Sequence, residues 1–199
     1  MRVTPLIAAG AIALLLTGCG DETGTDPTES HAAPVAGDER ITAKAVAAVA
    51  LEHVSTDTSS RSATTEDGVV GAEFRYHVDG EYDGDLLAVG VIRQPVPEGF
   101  CKGMDRCERE DIEGGELVVA WDEIAPEEDP GVVTVAMLRD DGEAVAVYYA
   151  GDDIEGDPRD QYLSIPVADM EAVVRDQRIS LTTSAEVIEL GERLEDFEG

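Results

Sequence analysis

The apolar positions change their spacing as the chain proceeds, and each change predicts a different element. Residues 6–16, LIAAGAIALLL, form an unbroken apolar run. Residues 20–37, GDETGTDPTESHAAPVAG, have almost no large apolar group and no period, so they cannot bury enough surface to offset the entropy of ordering. Residues 38–54, DERITAKAVAAVALEHV, then place Ile41, Ala45, Ala48 and Val49 at helical spacing, with Asp38 as the expected N-cap. The Ser/Thr-rich STDTSSRSATTEDG that follows reads as a loop. In GAEFRYHVDG, the residues Phe74, Tyr76 and Val78 alternate with polar ones, the period of a half-buried strand. DLLAVGVIRQ is apolar on both faces, and ELVVAWD, VVTVAML and AVAVYYA are further strands. The last two are joined by RDDGE, whose Asp141-Gly142 pair signals a hairpin.

The C-terminal part returns to helical spacing. PVADMEAVV aligns Val167, Met170, Val173 and Val174, while TSAEVIELGERLEDF aligns Val187, Leu190, Leu194 and Phe197 behind an expected capping box of Thr183 and Glu186. Strands linked by hairpins without βαβ alternation predict an α+β domain over residues 38–199. It should have a mainly antiparallel sheet of four to five strands, one N-terminal helix and two C-terminal helices.

The first apolar run is too short to be a membrane span. As a helix it would measure roughly 16 Å, against about 30 Å of hydrocarbon. One basic residue, Arg2, a short apolar stretch and the small Thr17 and Gly18 have the layout of an export signal that is cut away. Leu16-Thr17-Gly18-Cys19 resembles the lipobox of bacterial lipoproteins. The resemblance implies that residues 1–18 are a signal peptide, that the Cys19 thiol takes a diacylglycerol, and that residues 19–37 tether the domain to the cell membrane on its extracytoplasmic side. The C-terminal GDPRDQYLSIPVADMEAVVRDQRISLTTSAEVIELG resembles exported lipoproteins of actinobacteria with no assigned activity, through GDPR, an amphipathic helix, D-x-R and LTT. It carries over no functional residue.

The chain holds 14 basic and 44 acidic residues among 199, a formal charge of −30. Such a surface repels nucleic-acid phosphates and anionic lipid headgroups, so no nucleic-acid partner is expected and the lipid must do the anchoring. Cations, basic peptides or cationic proteins of the envelope are the attractive partners, although acidity of this kind also serves solubility alone. With Cys19 assigned to lipid, Cys101 and Cys107 remain as an expected disulfide in an exported setting. A C-x5-C spacing does not suit a redox centre, and closing so short a loop stabilises by roughly 2 kcal/mol.

No HExxH, GxSxG, P-loop or dinucleotide glycine pattern occurs, so no catalytic residue and no cofactor is assigned. The acidic DGEYDGD is a weak calcium candidate, with Asp79, Glu81, Asp83 and Asp85 on positions one, three, five and seven of an EF-hand-like loop and Gly84 at six. Position twelve is Gly90 rather than a bidentate glutamate, and the flanks read as strands, so a hairpin turn is the better fit. His53 and His77 are expected to be solvated, and Trp121 to lie in the core.

The segment QPVPEGFCKGMDRCEREDIEGG, residues 94–115, reads as a long loop between strands, which in a compact domain points to function or disorder, and the expected disulfide argues against disorder. Its cysteine pair carries Lys102, Arg106 and Arg109 beside Phe100 and Met104. Two readings stay open: a stapled surface that recognises an envelope protein, or a cover over one end of the sheet with Phe100 as a plug. The expectation for the whole is a non-catalytic binding or interaction module. The alternatives are a hydrolase with a site assembled from scattered residues, or a calcium-binding structural module.

Overall fold

The computed structural model describes residues 37–54, 57–64, 68–77, 84–95, 99–124 and 131–199. Cys19 and the acidic residues Asp79, Glu81 and Asp83 lie outside the described residues. Among those described, the fold is α+β, with three α-helices and a seven-stranded antiparallel sheet.

The five expected strands form at the expected places. They are β3 (Val70–Tyr76), β4 (Asp85–Arg93), β6 (Gly115–Asp122), β7 (Val132–Arg139) and β8 (Glu143–Ala150). The count of four to five strands is too low, because two polar segments also pair at the sheet edges. These are β2 (Ser60–Ala63), inside the stretch read as a Ser/Thr loop, and β5 (Arg106–Ile112), inside the stretch read as a long loop. Neither alternates apolar with polar residues, because an edge strand over little core needs only backbone pairing with its neighbour. A separate two-stranded ladder joins β1 (Glu39–Arg40) to β9 (Thr182–Thr183).

The strand order β2-β3-β4-β8-β7-β6-β5 consists of two meanders laid side by side. β2 to β4 form one, and β5 to β8 return hairpin by hairpin until β8 pairs with β4. The β7–β8 hairpin closes as expected, with Gly142 at φ +85° and the Asp141 carboxylate accepting the Glu143 amide at 3.0 Å. At the β2 edge the C-terminal segment continues the pairing, since Ala63 N donates to Glu198 O at 2.8 Å and Glu198 N to Arg61 O at 2.9 Å.

Large side chains fill one face of the sheet. Phe74, Leu87, Val89, Val91, Val135, Met137, Val145, Val147 and Tyr149 are all buried there. α1 (Ala43–Ala50) and α2 (Val167–Arg175) pack on this face, α1 over β3 and α2 over β7 and β8, and α3 (Ala185–Glu192) packs on α1. α2 buries Val167, Met170, Val173 and Val174 as its periodicity predicts. α1 begins later than expected. Asp38 is not its cap, because the next two residues are drawn into β1. Instead Thr42 caps it, accepting the Ala45 amide at 3.2 Å, while Ile41 and Val46 join the core in the pattern of a hydrophobic staple. Every residue from Ala45 to Ala50 is buried. α3 crosses α1 nearly backbone to backbone, for a Cβ on Gly191 would lie 2.6 Å from the Ala45 nitrogen.

The Thr183–Glu186 capping box does not form. Thr183 is spent on β9, where its hydroxyl donates to Arg178 O at 3.0 Å, and Ser184 takes the cap position of α3.

Candidate functional site

The suspected loop resolves into a connection, residues 94–105, followed by edge strand β5. The connection is long because of topology. It leaves β4 beside the β7–β8 turn, where Gln94 Nε2 donates to Arg139 O at 3.1 Å and Glu143 O at 2.7 Å. It must reach β5 on the far side of β8, β7 and β6, about 19 Å away at the usual strand spacing. It must also arrive at the opposite end of the strands, because Arg93 pairs with Glu143 whereas Arg106 pairs with Trp121.

Cys101 and Cys107 are bonded. Cys107 sits opposite Ala120, whose register continues through Thr134 and Tyr148 to Ala88, so the staple lies on the face of the sheet that carries no helix among the described residues. On that face Ala88, Gly90 and Ala146 are half-buried and Tyr148 is 38% exposed, whereas Val118, Ala120, Ala136 and Ala144 are fully covered.

The loop's basic residues are less available than the sequence suggested. Arg109 donates to Glu116 at 2.7 Å and to the Cys101 sulfur at 3.4 Å, and Arg106 lies 3.7 Å from Glu123. Lys102 is exposed and also has an interaction partner. Phe100 and Met104 are half-buried rather than displayed. The edge is thus a mixed-charge surface of short, local ion pairs, each of the kind that contributes about 0–1 kcal/mol.

A denser polar cluster lies where α2 ends, and sequence reasoning passed over most of it. Arg139, only 5% exposed at the end of β7, donates to three carbonyls: Ile179 O at 2.7 Å, Asp176 O at 2.8 Å and Val174 O at 3.3 Å. These include carbonyls at the α2 C-terminus, which the guanidinium caps. Burial draws the Arg139 pKa below the usual guanidinium value, against the opposing charges of Asp141, Glu143 and Asp176. Asp176, one residue past α2, folds its carboxylate back onto the Arg178 amide at 2.9 Å, holds the Arg178 side chain at 2.6 Å, and meets His53 Nε2 at 2.8 Å. Burial opposes its ionisation, but the bonds from Arg178 and His53 and the Arg178 charge prevail and hold the carboxyl below the usual aspartate range. Arg178 reaches on to Glu52 at 2.7 Å, so α1 is tied to the end of α2.

His53, expected to be solvated, is instead largely covered and held on Asp176. His77 remains largely exposed but meets Asp85 at 3.1 Å. Asp85 is the one described member of the calcium quartet, and it is buried at the start of β4. A carboxylate-oriented imidazole such as His53 could act as a general base. However, no hydroxyl or thiol hydrogen-bonds it among the described residues, and its carboxylate partner is shared with Arg178.

Trp121 is buried, as expected, with its ring 5.9 Å from the Arg159 guanidinium. Arg159 is fastened by Asp157 at 2.6 Å and by Glu108 of β5 at 2.5 Å. The hydrogen bond to Arg159 is the main cause that depresses the Asp157 pKa. GDPR is thus a turn whose arginine closes over the tryptophan, D-x-R is the turn that ends α2, and LTT supplies β9. One further link runs from Tyr149, whose hydroxyl donates to Asp152 at 2.5 Å, out to the exposed Ser164, whose amide donates to the same carboxylate at 2.6 Å. Burial, reinforced by Asp152, raises the Tyr149 pKa.

No protein-family model matches the chain, and neither a curated protein nor a solved structure matches it. No helix among the described residues is long and apolar enough to cross a membrane.

Proposed function

We propose that the chain is a lipid-anchored extracytoplasmic lipoprotein whose α+β domain is a non-catalytic interaction module of the cell envelope. The observation that carries the reading is the lipobox Leu16-Thr17-Gly18-Cys19 at the end of an apolar run too short to span a bilayer. Residues 1–18 are removed, Cys19 receives the diacylglycerol, and residues 19–37 let the domain range over the membrane surface. The helix-free sheet face beside the Cys101–Cys107 staple is the recognition surface. Phe100, Lys102 and Met104 lie in the connection beside it, Arg109 shares its face while Arg106, opposite Trp121, belongs to the other face, and a cationic envelope protein is the partner that the acidic body favours.

Metabolic labelling with a fatty-acid probe tests the anchor. The wild-type chain takes up label and shifts to the membrane fraction, and Cys19→Ala abolishes both; persistent labelling of that variant would refute the reading. A photo-crosslinker placed at Lys102 in cells should trap one discrete partner, and the Cys101→Ser/Cys107→Ser pair should lose it.

A second reading is an envelope hydrolase, and the His53–Asp176 contact is the observation in its favour. Ester or amide turnover that disappears in His53→Ala, with the fold intact, would establish it over the first.

A further inference from the structure

The seven-stranded sheet ends in two edges, and the chain covers only one of them with described backbone. At β2 the C-terminal segment continues the pairing, through Ala63 N to Glu198 O and Glu198 N to Arg61 O. No described segment does the same for β5, where Arg106, Glu108, Arg109, Glu110 and Asp111 are all exposed. Turn geometry identifies the free backbone groups. Ile112 and Gly115 flank a two-residue turn and so exchange ladder bonds, and the bond from Asp140 N to Gly114 O fixes the same parity from the β7 side. The backbone of Glu108 and Glu110 is thereby spent on β6, whereas Cys107, Arg109 and Asp111 turn N–H and C=O away from the sheet. No described residue outside the ladder donates to or accepts from them. The Cys101–Cys107 bond ties the strand to its connection, so an incoming chain meets a preformed template.

The charges on β5 decide what can dock there. A second copy is a poor occupant. In a two-fold antiparallel pairing of β5 with itself the central residue faces its own copy, and any centre from Glu108 to Asp111 therefore opposes like charges. The ion pairs of the strand leave a defined remainder. Glu108 is held by Arg159 and Arg109 by Glu116, while the side chains of Glu110 and Asp111 make no hydrogen bond or ion pair among the described residues. Alternation sends these two carboxylates to opposite faces of the sheet, so an added strand meets both only if two consecutive residues are basic. We propose that β5 captures an extended segment with adjacent basic residues, antiparallel to itself, through the outward backbone groups of Cys107, Arg109 and Asp111. Backbone pairing supplies the affinity and the two acids select the sequence. The proposal rests on the reading that the stapled corner serves a cationic envelope protein, and it names the mode of capture.

The test uses the full chain carrying Cys19→Ser, with its disulfide intact, and the synthetic peptide acetyl-TVTKKVTV-amide, followed by NMR. Binding should slow hydrogen exchange at the amides of Cys107, Arg109 and Asp111, and leave those of Glu108 and Glu110, already bonded to β6, unchanged. Methylating alternate peptide nitrogens leaves one pairing edge and should cost no more than about threefold. Methylating all of them removes both edges at the same charge and should weaken binding at least about tenfold. Replacing both lysines by glutamates should also weaken it at least about tenfold, and the double variant Glu110→Gln/Asp111→Asn should reduce that preference about three- to tenfold.

On the protein side, Arg109→Pro removes one outward N–H and spares the β6 ladder, as proline on an edge strand can. It should weaken the peptide at least about tenfold, whereas Arg109→Ala, which keeps the N–H, should bind at least as tightly as wild type. Unchanged exchange at the three amides under saturating peptide, equal binding of the fully methylated peptide, or equal binding by the Arg109→Pro and Arg109→Ala proteins would each overturn the proposal. A partner trapped at Lys102 in cells equally by both variants would leave the cationic-partner reading standing and overturn strand addition alone.

Discussion

At the end of α2 and at the stapled corner of the sheet, the chain gathers charge in two different ways. Around α2 the charges are buried and shared: one guanidinium serves three carbonyls, and one carboxylate serves His53, the Arg178 side chain and the Arg178 amide. At the corner the charges are exposed and paired locally, Arg109 with Glu116 on the adjoining strand and Arg106 with Glu123. The first arrangement joins β7, α1 and α2, elements far apart in sequence. The second joins neighbours that the backbone ladder already holds. Removing a member of the first strands polar groups away from water, whereas removing a member of the second returns its partner to solvent. Charge at the end of α2 therefore belongs to the stability of the fold, and charge at the corner contributes little to it.

The contrast can be broken at its strong end first. Arg139→Ala should destabilise by about 3–5 kcal/mol, because it leaves three carbonyls and the neighbouring acids without their partner. Chemical denaturation measures the loss, and a cost below about 1 kcal/mol would erase the distinction. Asp176→Asn should cost about 2–3 kcal/mol near neutral pH, since it removes bonds made to a charged group.

That second cost depends on pH with a definite sign. The folded pKa of Asp176 is depressed, so its stabilisation is complete above the ordinary aspartate value of about 3.9 and is lost as pH falls through the folded value. Wild type and Asp176→Asn should accordingly converge in stability on acidification, and unfolding curves from neutral to strongly acidic pH would show it.

At the exposed corner the expected effects shrink. Replacing Cys101 and Cys107 together by serine should cost about 2 kcal/mol, the loop-closure contribution of a short staple, read as a lowered denaturation midpoint. Arg109→Ala should cost less than about 1 kcal/mol, and 1 M salt should remove most of even that. A large loss from Arg109→Ala would mean that the corner is a structural knot like the other.

How far these regions were legible differs for physical reasons. The five strong strands and α2 could be read because burial leaves its mark on the sequence, as alternation in β3, as near-continuous apolar runs in β4, β7 and β8, and as helical spacing in α2. β5, with sequence RCEREDI, imposes no such pattern, since its ladder is made by backbone groups and its side chains mostly face solvent. Reading it as loop made the connection from β4 look longer than it is. The polar cluster was harder still. Arg139 stands in sequence between a strand and a DDG turn, where an arginine ordinarily points into water. Nothing local reveals that the α2 terminus, some 35 residues on, will bury it. The D-x-R pattern was the one available signal, because an aspartate two residues before an arginine can fold back on its amide.

From residue types and their spacing came the α+β class and the antiparallel hairpins, while the expectation of a lipid anchor at Cys19, and with it the pairing of the two remaining cysteines, came from the resemblance to a lipobox. The class and the hairpins depend on interactions between near neighbours or on one buried face. Tertiary structure decided which edges the sheet would acquire, that Thr42 rather than Asp38 caps α1, that both His53 and His77 meet carboxylates, and that Arg139 is buried on the carbonyls where α2 ends. Each of those outcomes turns on the energy of groups brought together from distant parts of the chain, and a local period carries no record of a partner that only folding supplies.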